Sequence, residues 1–375
     1  MPPAYKQLST HDPEEVSVDP TSSPTSRLTS RLSFTAVARL IAVMVLAYAG
    51  VRFLTRAALK LRAPCHSGLQ RNLSSLPTHY TLPSGDKIPS VALGVWQASR
   101  GEVGAAVTTA LQAGYRHIDG AWIYRNEEEV GQAIRESGVS REELWITSKL
   151  WNTFHAPEDV ESALDDSLKK LDTQYLDLYL MHWPVAFKKD TTEVDKELTA
   201  NPYPTWQKLE ELVEKGKVRN IGVSNFNIAR IQNLTANPLK VQPAVNQVEL
   251  SYWNPQPELL AWAKENGLLL EAYSPLGSNK QVKESLEAPA VQTIAKQLGI
   301  TPAQVIISWH VQRGTIVLPK SVTPSRVEEN YHIFALPEDL FEQLETAATS
   351  HPPLRVVNPS KSWGLGYDVF DDYPQ

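Results

Sequence analysis

Short apolar or β-branched segments alternate with longer helical patterns from about Thr78 onward. Eight strand-like segments occur, in chain order SVALGVW, YRHID, LWITSKL, YLDLYLMHW, VRNIGVSNF, AVNQVEL, LLLEAYSPL and TIVLPKS, and a helical pattern follows each one. Eight strand–helix units in roughly 250 residues are the count and size of a (β/α)8, or TIM, barrel. The alternation therefore predicts an α/β protein with this architecture.

Two features concern the N-terminal side of the predicted barrel. The segment HYTLPSGDKIPS predicts a hairpin that turns at residues 84–86 and plugs the N-terminal end of the barrel. No GxGxxG motif follows the first strand, which argues against a dinucleotide-binding Rossmann domain.

Polar or charged side chains stand near the carboxyl ends of seven of the eight predicted strands. They are Asp119, Lys149, His182, Ser224, Asn225, Gln247, Tyr273 and Lys320. In a barrel of this type all these ends open on one face, where catalytic residues collect. One such residue alone is more often a turn or helix cap. Because capping does not explain the repetition, the pattern predicts a catalytic site on this face.

Three of these residues, together with Tyr124 just beyond Asp119, suit one reaction. Asp119 and Lys149 end adjacent predicted strands and can form an ion pair, since a buried carboxylate without a partner would be costly. Tyr124 can reach the ammonium, and a nearby positive charge lowers a phenol pKa that is about 10 unperturbed. A tyrosine of this kind can act as a general acid, and His182 can donate a hydrogen bond to a carbonyl oxygen. The set suits carbonyl reduction and requires an external hydride donor.

At these residues a family resemblance becomes evident. The motifs GYRHIDGAWIYRNEEEVGQAI, LWITSKLW, LDLYLMHWP, KVRNIGVSNF, YSPLGS and VLPKSVTPSRVEEN resemble those of the aldo-keto reductases, in the same order over about residues 79–350. Within the family, the chain looks closest to fungal glycerol or aldehyde reductases. The resemblance implies that Tyr124 donates the proton, that Lys149 and Asp119 tune it, and that His182 orients the carbonyl. The chain is expected to be a monomer.

The resemblance also implies a nicotinamide cofactor. Ser224, Asn225 and Gln247 match the residues that fix the carboxamide, Tyr273 the platform beneath the ring, and Ser274, Leu276 and Ser278 the loop over the pyrophosphate. Lys320, Ser321 and Arg326 match the 2′-phosphate site, and Glu329 and Asn330 match the adenine contacts. Arginine offers a phosphate a bidentate fork and lysine a point charge. The expected cofactor is therefore NADPH rather than NADH.

Aromatic residues beside the motifs are candidates for the substrate pocket. Trp96 and Trp183 are expected to contact the substrate together with His182, and Trp363 and Phe370 are further candidates in the C-terminal tail. Such walls favour aldehydes and ketones with hydrophobic bodies.

Three other functions remain open at this stage. A Schiff-base aldolase would use Lys149 as its nucleophile. A non-catalytic NADPH-binding subunit would regulate a membrane partner. A metal hydrolase is the weakest, because His117 and Asp119 share a strand face but no ligand set is complete, and no metal is expected.

The 375-residue chain carries a basic N-terminal extension before an acidic domain. Residues 20–79 contain eight Lys or Arg and no Asp or Glu, although the whole chain has a formal net charge of −6. That net charge argues against nucleic-acid binding. The single cysteine, Cys65, excludes an internal disulfide and a cysteine-rich metal site.

Composition divides the chain into five parts. We predict a disordered tail over residues 1–30, a hydrophobic basic helix over 31–62, a linker over 63–78, the barrel over 79–350 and a C-terminal tail that borders the substrate over 351–375.

The hydrophobic stretch at residues 32–54 is a candidate membrane span. Its charge-free core is only residues 40–51, whereas a bilayer of ~30 Å needs ~20 residues, a length that is reached by counting through Arg39. The basic cluster on its C-terminal side would place the barrel in the cytosol. A single-pass membrane protein is thus the expectation. The alternatives are an interfacial helix, a mitochondrial transit segment, or a cytoplasmic protein without a membrane role.

Overall fold

The computed structural model describes residues 75–278 and 281–370. Eight parallel strands form one sheet in the order β12-β11-β10-β9-β6-β5-β4-β3. These strands are β3 (Leu93–Gly94), β4 (His117–Asp119), β5 (Trp145–Leu150), β6 (Leu176–Met181), β9 (Val218–Ser224), β10 (Val245–Glu249), β11 (Leu269–Tyr273) and β12 (Ile316–Leu318). The first and last segments also bond to each other: the Ala92 N–H donates to the Val317 carbonyl at 2.9 Å, and the Val317 N–H donates to the Ser90 carbonyl at 2.9 Å. The predicted barrel is confirmed.

Helices connect the strands and cover the outside of the barrel. They are α1 (Val103–Ala113), α2 (Glu127–Ser137), α3 (Pro157–Leu171), α4 (Lys196–Ala200), α5 (Tyr203–Glu214), α6 (Ile228–Thr235), α7 (Pro257–Glu265), α8 (Gln281–Leu286), α9 (Pro289–Leu298), α10 (Pro302–Gln312), α11 (Pro324–Tyr331) and α12 (Glu338–Thr349). Several begin with proline at the first turn, where its fixed backbone angle suits a helix and its missing N–H leaves no bond unmade. This local chemistry explains why the helix boundaries follow the sequence pattern closely.

A two-stranded hairpin lies at the N-terminal end of the barrel, as predicted. It consists of β1 (His79–Thr81) and β2 (Lys87–Pro89), paired antiparallel. Its Leu82 and Ile88 belong to the same buried apolar cluster as strand residues of the barrel interior. The Ser84 hydroxyl also donates to Asn220 Oδ1 of β9 at 2.7 Å. The hairpin therefore seals the barrel floor, and access is left to the opposite face.

A second short hairpin was not predicted. It joins β7 (Ala186–Phe187) to β8 (Val194–Asp195), between β6 and α4. Both residues of β7 are buried, and Phe187 lies in an apolar cluster with Trp183. This insertion adds apolar surface beside the carboxyl end of β6.

The single-pass membrane location predicted from the sequence is wrong. Within residues 75–278 and 281–370, no helix combines the length and the apolar character needed to cross a bilayer. The stretch at residues 32–54, on which the prediction depended, lies outside the described residues. Its charge-free core of residues 40–51 is also shorter than the ~20 residues of a membrane helix. The division of the chain at residues 30, 62, 78 and 350 stays a prediction.

Close packing between α2 and α3 generates a prediction. A Cβ atom added at Gly131 of α2 would stand 2.6 Å from the Lys170 carbonyl oxygen, which is backbone and cannot move aside cheaply. We expect Gly131→Ala to lower the free energy of unfolding by about 1–3 kcal/mol, although alanine is the better helix former. Urea denaturation measures this. Gln132→Ala, on the exposed side of α2, should change the value by less than about 0.5 kcal/mol. Equal stability of both variants would contradict the packing argument.

Candidate active site

A buried ion pair stands at the carboxyl ends of β4 and β5. The Lys149 ammonium donates to both Asp119 carboxylate oxygens, at 3.0 and 2.9 Å, and to the Gly120 carbonyl at 2.7 Å. Lys149 is fully buried and Asp119 is 4% exposed. Burial by itself lowers the pKa of Lys149, but the charge and hydrogen bond of Asp119, together with the smaller effects of Tyr124 and Glu271, outweigh it, and the net pKa is raised. The lysine is therefore a permanent cation held in one place.

The Tyr124 hydroxyl lies beside this ammonium. The nitrogen of Lys149 is 3.4 Å from the phenol oxygen and 5.2 Å from the ring centroid. A short 3₁₀ turn at Trp122–Tyr124, directly after β4, directs the ring there. Burial raises the pKa of Tyr124, and the Lys149 charge offsets only part of that rise. The lowered pKa predicted from the sequence is thus wrong in its net direction, because the sequence showed the cation but not the desolvation.

His182 follows β6 and faces Tyr124 edge to face, with ring centroids 5.8 Å apart. Burial, together with the charges of Lys149 and His155, lowers the pKa of His182 well below its usual value. The imidazole is therefore neutral near pH 7. A neutral imidazole retains one N–H donor without a full charge of its own, which suits a hydrogen bond to a polar oxygen beside Tyr124.

Gln247 and Glu271 form a second layer beneath the pair. The Gln247 amide nitrogen donates to Asp119 at 2.8 Å and to Glu271 at 2.9 Å. Sequence reasoning missed Glu271. The signal was present, since it is the one charged residue in the apolar run LLLEAYSPL. Burial, followed by the Asp119 charge, raises the pKa of Glu271 to about 8.

The predicted carboxamide residues form a hydrogen-bonded group. The Ser224 hydroxyl donates to the backbone carbonyl of Gln247 at 2.8 Å. The Asn225 side-chain amide donates to the Ser224 hydroxyl at 3.1 Å and to the backbone carbonyl of His182 at 2.9 Å. The Tyr273 hydroxyl donates to Asn225 Oδ1 at 2.7 Å. The structure thus brings the ends of β9, β10 and β11 together beside His182.

The remaining predicted nucleotide residues occupy the loops after β11 and β12. Ser274, Leu276 and Ser278 lie in the loop directly after β11. In this loop the Gly277 N–H donates to the Ser274 backbone carbonyl at 2.8 Å. The other members are Lys320, Ser321, Arg326, Glu329 and Asn330, of which Lys320 and Arg326 are exposed and Asn330 is buried. Partial burial lowers the pKa of Lys320, whose ammonium donates to the Gln97 carbonyl at 3.2 Å. The Glu329 carboxylate accepts from the Thr301 hydroxyl at 2.8 Å.

Aromatic side chains border the site. Trp183 lies 5.1 Å from Trp363 and 5.9 Å from Phe370, ring centre to ring centre. Trp151, which sequence reasoning missed although it directly follows β5, lies 5.3 Å from His182 and 6.1 Å from Trp363. Trp96 is 37% exposed on the barrel surface. The aromatic group is therefore built mainly by residues after β5 and β6 and by the C-terminal tail.

The tail is tied down by a carboxylate at the end of β10. The Val356 and Val357 N–H groups donate to the two oxygens of Glu249, at 2.8 and 2.7 Å. Glu249 is 1% exposed, and this burial raises its pKa. Glu249 was also missed from the sequence, where it follows Gln247 by two residues.

A metal centre is absent from residues 75–278 and 281–370, since no three His, Cys, Asp or Glu side chains converge there. His117, which shares a strand with Asp119, contacts the Pro89 carbonyl at 3.3 Å and the Thr147 hydroxyl at 3.1 Å. Burial lowers the pKa of His117 to about 3. It is a neutral core histidine.

Comparison with known proteins gives a consistent result. A sequence profile described as "Aldo/keto reductase family" matches residues 90–348. The chain is 42% identical over 315 residues to a glycerol 2-dehydrogenase (NADP(+)) of Hypocrea jecorina, which covers 78% of this chain and 98% of that protein. It is 45% identical over 300 residues to an aldehyde reductase of Saccharomyces cerevisiae, covering 76% of this chain and 94% of the relative.

Solved structures agree with the sequence relatives. The structure of the aldose reductase from Schistosoma japonicum superposes with a TM-score of 0.70 at 38% identity, covering 78% of this chain and 97% of that one. The similarity therefore extends over nearly the whole of each relative.

The buried ion pair generates a stability prediction. We expect Lys149→Met to lower the free energy of unfolding by about 3–5 kcal/mol, because it leaves the Asp119 carboxylate buried without its cation. The double variant Lys149→Met with Asp119→Leu should recover most of that loss, since it removes both charges. Urea denaturation of the three proteins near pH 7 measures the difference. A single variant as stable as the unchanged protein would contradict the proposed cost of the unpaired carboxylate.

Proposed function

The chain belongs to the aldo/keto reductase family, as its motifs predicted, and on that premise we propose that it reduces aldehydes and ketones to alcohols with NADPH, reversibly, using Tyr124 as the general acid. The observation that carries the proposal is the 3.4 Å contact between the Tyr124 hydroxyl and the buried Lys149 ammonium. Two of the relatives' names, a glycerol 2-dehydrogenase (NADP(+)) and an aldehyde reductase, support the cofactor and the substrate class.

The donor set of the site fits a nicotinamide nucleotide. Ser224, Asn225 and Gln247 offer hydroxyl and amide groups that match a carboxamide, and Tyr273 offers a ring against which a flat heterocycle can stack. Lys320, just after β12, and Arg326, in the first turn of α11, are exposed cations that could bind a 2′-phosphate. These residues would hold the cofactor, which supplies the hydride when it is bound.

The chain's own residues manage the proton. Tyr124 has a raised pKa, so it keeps its proton at neutral pH and is ready to donate it to the carbonyl oxygen. As negative charge then grows on the phenol oxygen, the fully buried Lys149 ammonium stabilises it at short range. The neutral His182 donates a hydrogen bond to the same carbonyl oxygen and so orients the substrate. The cation thus acts on the transition state more than on the resting tyrosine.

Of the rival functions, the aldolase is disfavoured by Lys149 itself. A lysine that forms a Schiff base must lose its proton, which a lowered pKa favours. Although burial lowers it, the pKa of Lys149 is raised on balance by Asp119 together with Tyr124 and Glu271, and three acceptors hold its hydrogens. A non-catalytic regulatory subunit would need the nucleotide residues but not the aligned Tyr124, Lys149 and His182.

The substrate class follows from the surroundings of His182. Trp183, Trp151 and Trp363 provide apolar faces close to the proposed carbonyl position. Small carbonyl compounds with a hydrophobic body are therefore favoured, and Trp96 is a further proposed contact at the exposed rim.

The role of Tyr124 generates the central prediction. We expect Tyr124→Phe to lower kcat for carbonyl reduction by about 10²–10⁴-fold, because the variant lacks the proton that is transferred. The dissociation constant of NADPH should stay within twofold. NADPH oxidation with a panel of aldehydes and ketones measures turnover, and tryptophan fluorescence measures binding. Tyr203→Phe, which deletes a peripheral hydroxyl on α5, is the matched control and should retain full activity. Full turnover by Tyr124→Phe would exclude the mechanism.

The proposed phosphate site generates a prediction about cofactor choice. Lys320→Ala and Arg326→Ala should each raise the KM for NADPH by about 10-fold or more and leave the KM for NADH nearly unchanged, because only NADPH carries the 2′-phosphate. Lys169→Ala, which removes an exposed cation at the end of α3, should alter neither value. Equal effects on both nucleotides would remove the support for a 2′-phosphate contact.

A further inference from the structure

Glu271 is a buried acid for which the proposed mechanism has no use. It lies on β11, two residues before Tyr273, and is fully buried. One carboxyl oxygen, Oε2, accepts from the Gln247 amide at 2.9 Å, while the other, Oε1, has no hydrogen-bond partner among the described residues. Burying an acid with one oxygen left without a hydrogen bond is costly, so its place in the site calls for an explanation.

Glu271 and Asp119 together fix the orientation of the Gln247 side chain. The same nitrogen, Nε2, donates to both carboxyl groups, at 2.8 Å to Asp119 and 2.9 Å to Glu271. Asp119 is an ionised acceptor, so turning the amide over would place the Gln247 oxygen against its carboxylate and would withdraw the N–H from Glu271 Oε2. Both amide hydrogens are directed to the acids, and the oxygen of Gln247 remains as the acceptor that a carboxamide NH₂ requires.

The charges around Glu271 explain how two acids share this small space. The titratable groups that face it are Asp119 on β4 and Lys149 on β5, while Gln247 on β10 is uncharged and Ile316, its partner on β12, is apolar. Lys149 contacts Asp119 directly, so Glu271 is the acid without a cation of its own. Burial and the Asp119 charge raise the pKa of Glu271 to about 8, and it is mostly protonated at neutral pH.

We propose that Glu271 is a positioning residue: it holds Gln247 so that the amide oxygen faces the nicotinamide carboxamide, and in its protonated form it adds no second negative charge beneath Lys149. The inference rests on the proposed function and deepens it. When Glu271 loses its proton, the added negative charge opposes the growth of phenolate on Tyr124. Carbonyl reduction should therefore slow as the pH rises through about 8.

Two variants of the full chain separate the two parts of this role. Glu271→Leu removes the acceptor and lets the Gln247 amide rotate, so the dissociation constant of NADPH should rise about tenfold, the effect of losing roughly one hydrogen bond. Glu271→Gln keeps an acceptor oxygen but cannot ionise. Its affinity for NADPH should stay within twofold, while the fall in kcat/KM between pH 7 and pH 9, about fivefold or more in the unchanged protein, should shrink to less than twofold.

Glu127→Gln is the matched control. Glu127 is also a buried glutamate with a raised pKa, but it accepts from Ser148 and Ser167 outside the site. This control should change neither NADPH affinity nor the pH profile.

The outcomes are distinct. Unchanged affinity in Glu271→Leu together with an unchanged alkaline fall in Glu271→Gln would overturn the proposal and leave Glu271 a structural acid. If Glu271→Leu does not fold, the pH profile of Glu271→Gln decides. A third outcome is possible: Glu271→Leu weakens NADPH binding, but the unchanged protein oxidises NADPH with none of the carbonyl compounds tested. That result would contradict the proposed reaction and still support the role of Glu271 in orienting Gln247.

Discussion

The site depends on one interaction, the ion pair between Lys149 and Asp119 inside the barrel mouth. The ammonium has three acceptors within 3.0 Å, two carboxylate oxygens and the Gly120 carbonyl, so its position is fixed from the strand side. The Tyr124 hydroxyl is a further group in contact with the ammonium, at 3.4 Å. A well-packed apolar pair of similar volume would be about as stable as such a buried ion pair. Stability therefore does not explain why the charges are there, whereas the control of a proton on Tyr124 does.

Burial shifts the pKa values of the acidic and basic groups around the ion pair in opposite directions, and in each case it favours the uncharged form. It raises the pKa of Tyr124, lowers that of His182 and raises that of Glu271, so each of the three is held mainly in its uncharged form near pH 7. The resting site consequently holds one positive and one compensating negative charge, with neutral hydrogen-bonding groups around them. Such a site has little additional charge to stabilise in the ground state. It stabilises negative charge when this develops on the phenol or the carbonyl oxygen, and so it favours the transition state over the ground state.

The sequence contained most of the fold because local chemistry and global architecture agree. The helix Pro157–Leu171 illustrates this agreement, since proline marks its first turn and its apolar residues follow the helical period. The strand-end pattern also identified Asp119, Lys149 and His182. The sequence could not show how deeply each side chain is buried. The net pKa of Tyr124 depends on how many atoms surround it. The charge of Glu271 within an apolar run was visible in the sequence, but its full burial and its contact with Gln247 arise only when the barrel closes. The helix Glu338–Thr349 and the β7–β8 hairpin lie outside the repeating pattern and went unpredicted for that reason.

The proposed proton-transfer residues and part of the pocket wall lie on different parts of the chain, the barrel strands and the C-terminal tail. This separation explains why the class of reaction is easier to infer than the substrate. The proposed proton-transfer residues lie on or beside barrel strands, whose positions the sheet hydrogen bonds determine. Part of the aromatic wall instead comes from the tail, which Glu249 holds through two backbone N–H groups while Trp363 packs against Trp183. Backbone contacts of this kind place no demand on the side chains of the tail. Its residues can therefore vary without disturbing Tyr124 or Lys149, and the chemistry stays constant while the shape of the pocket is set separately.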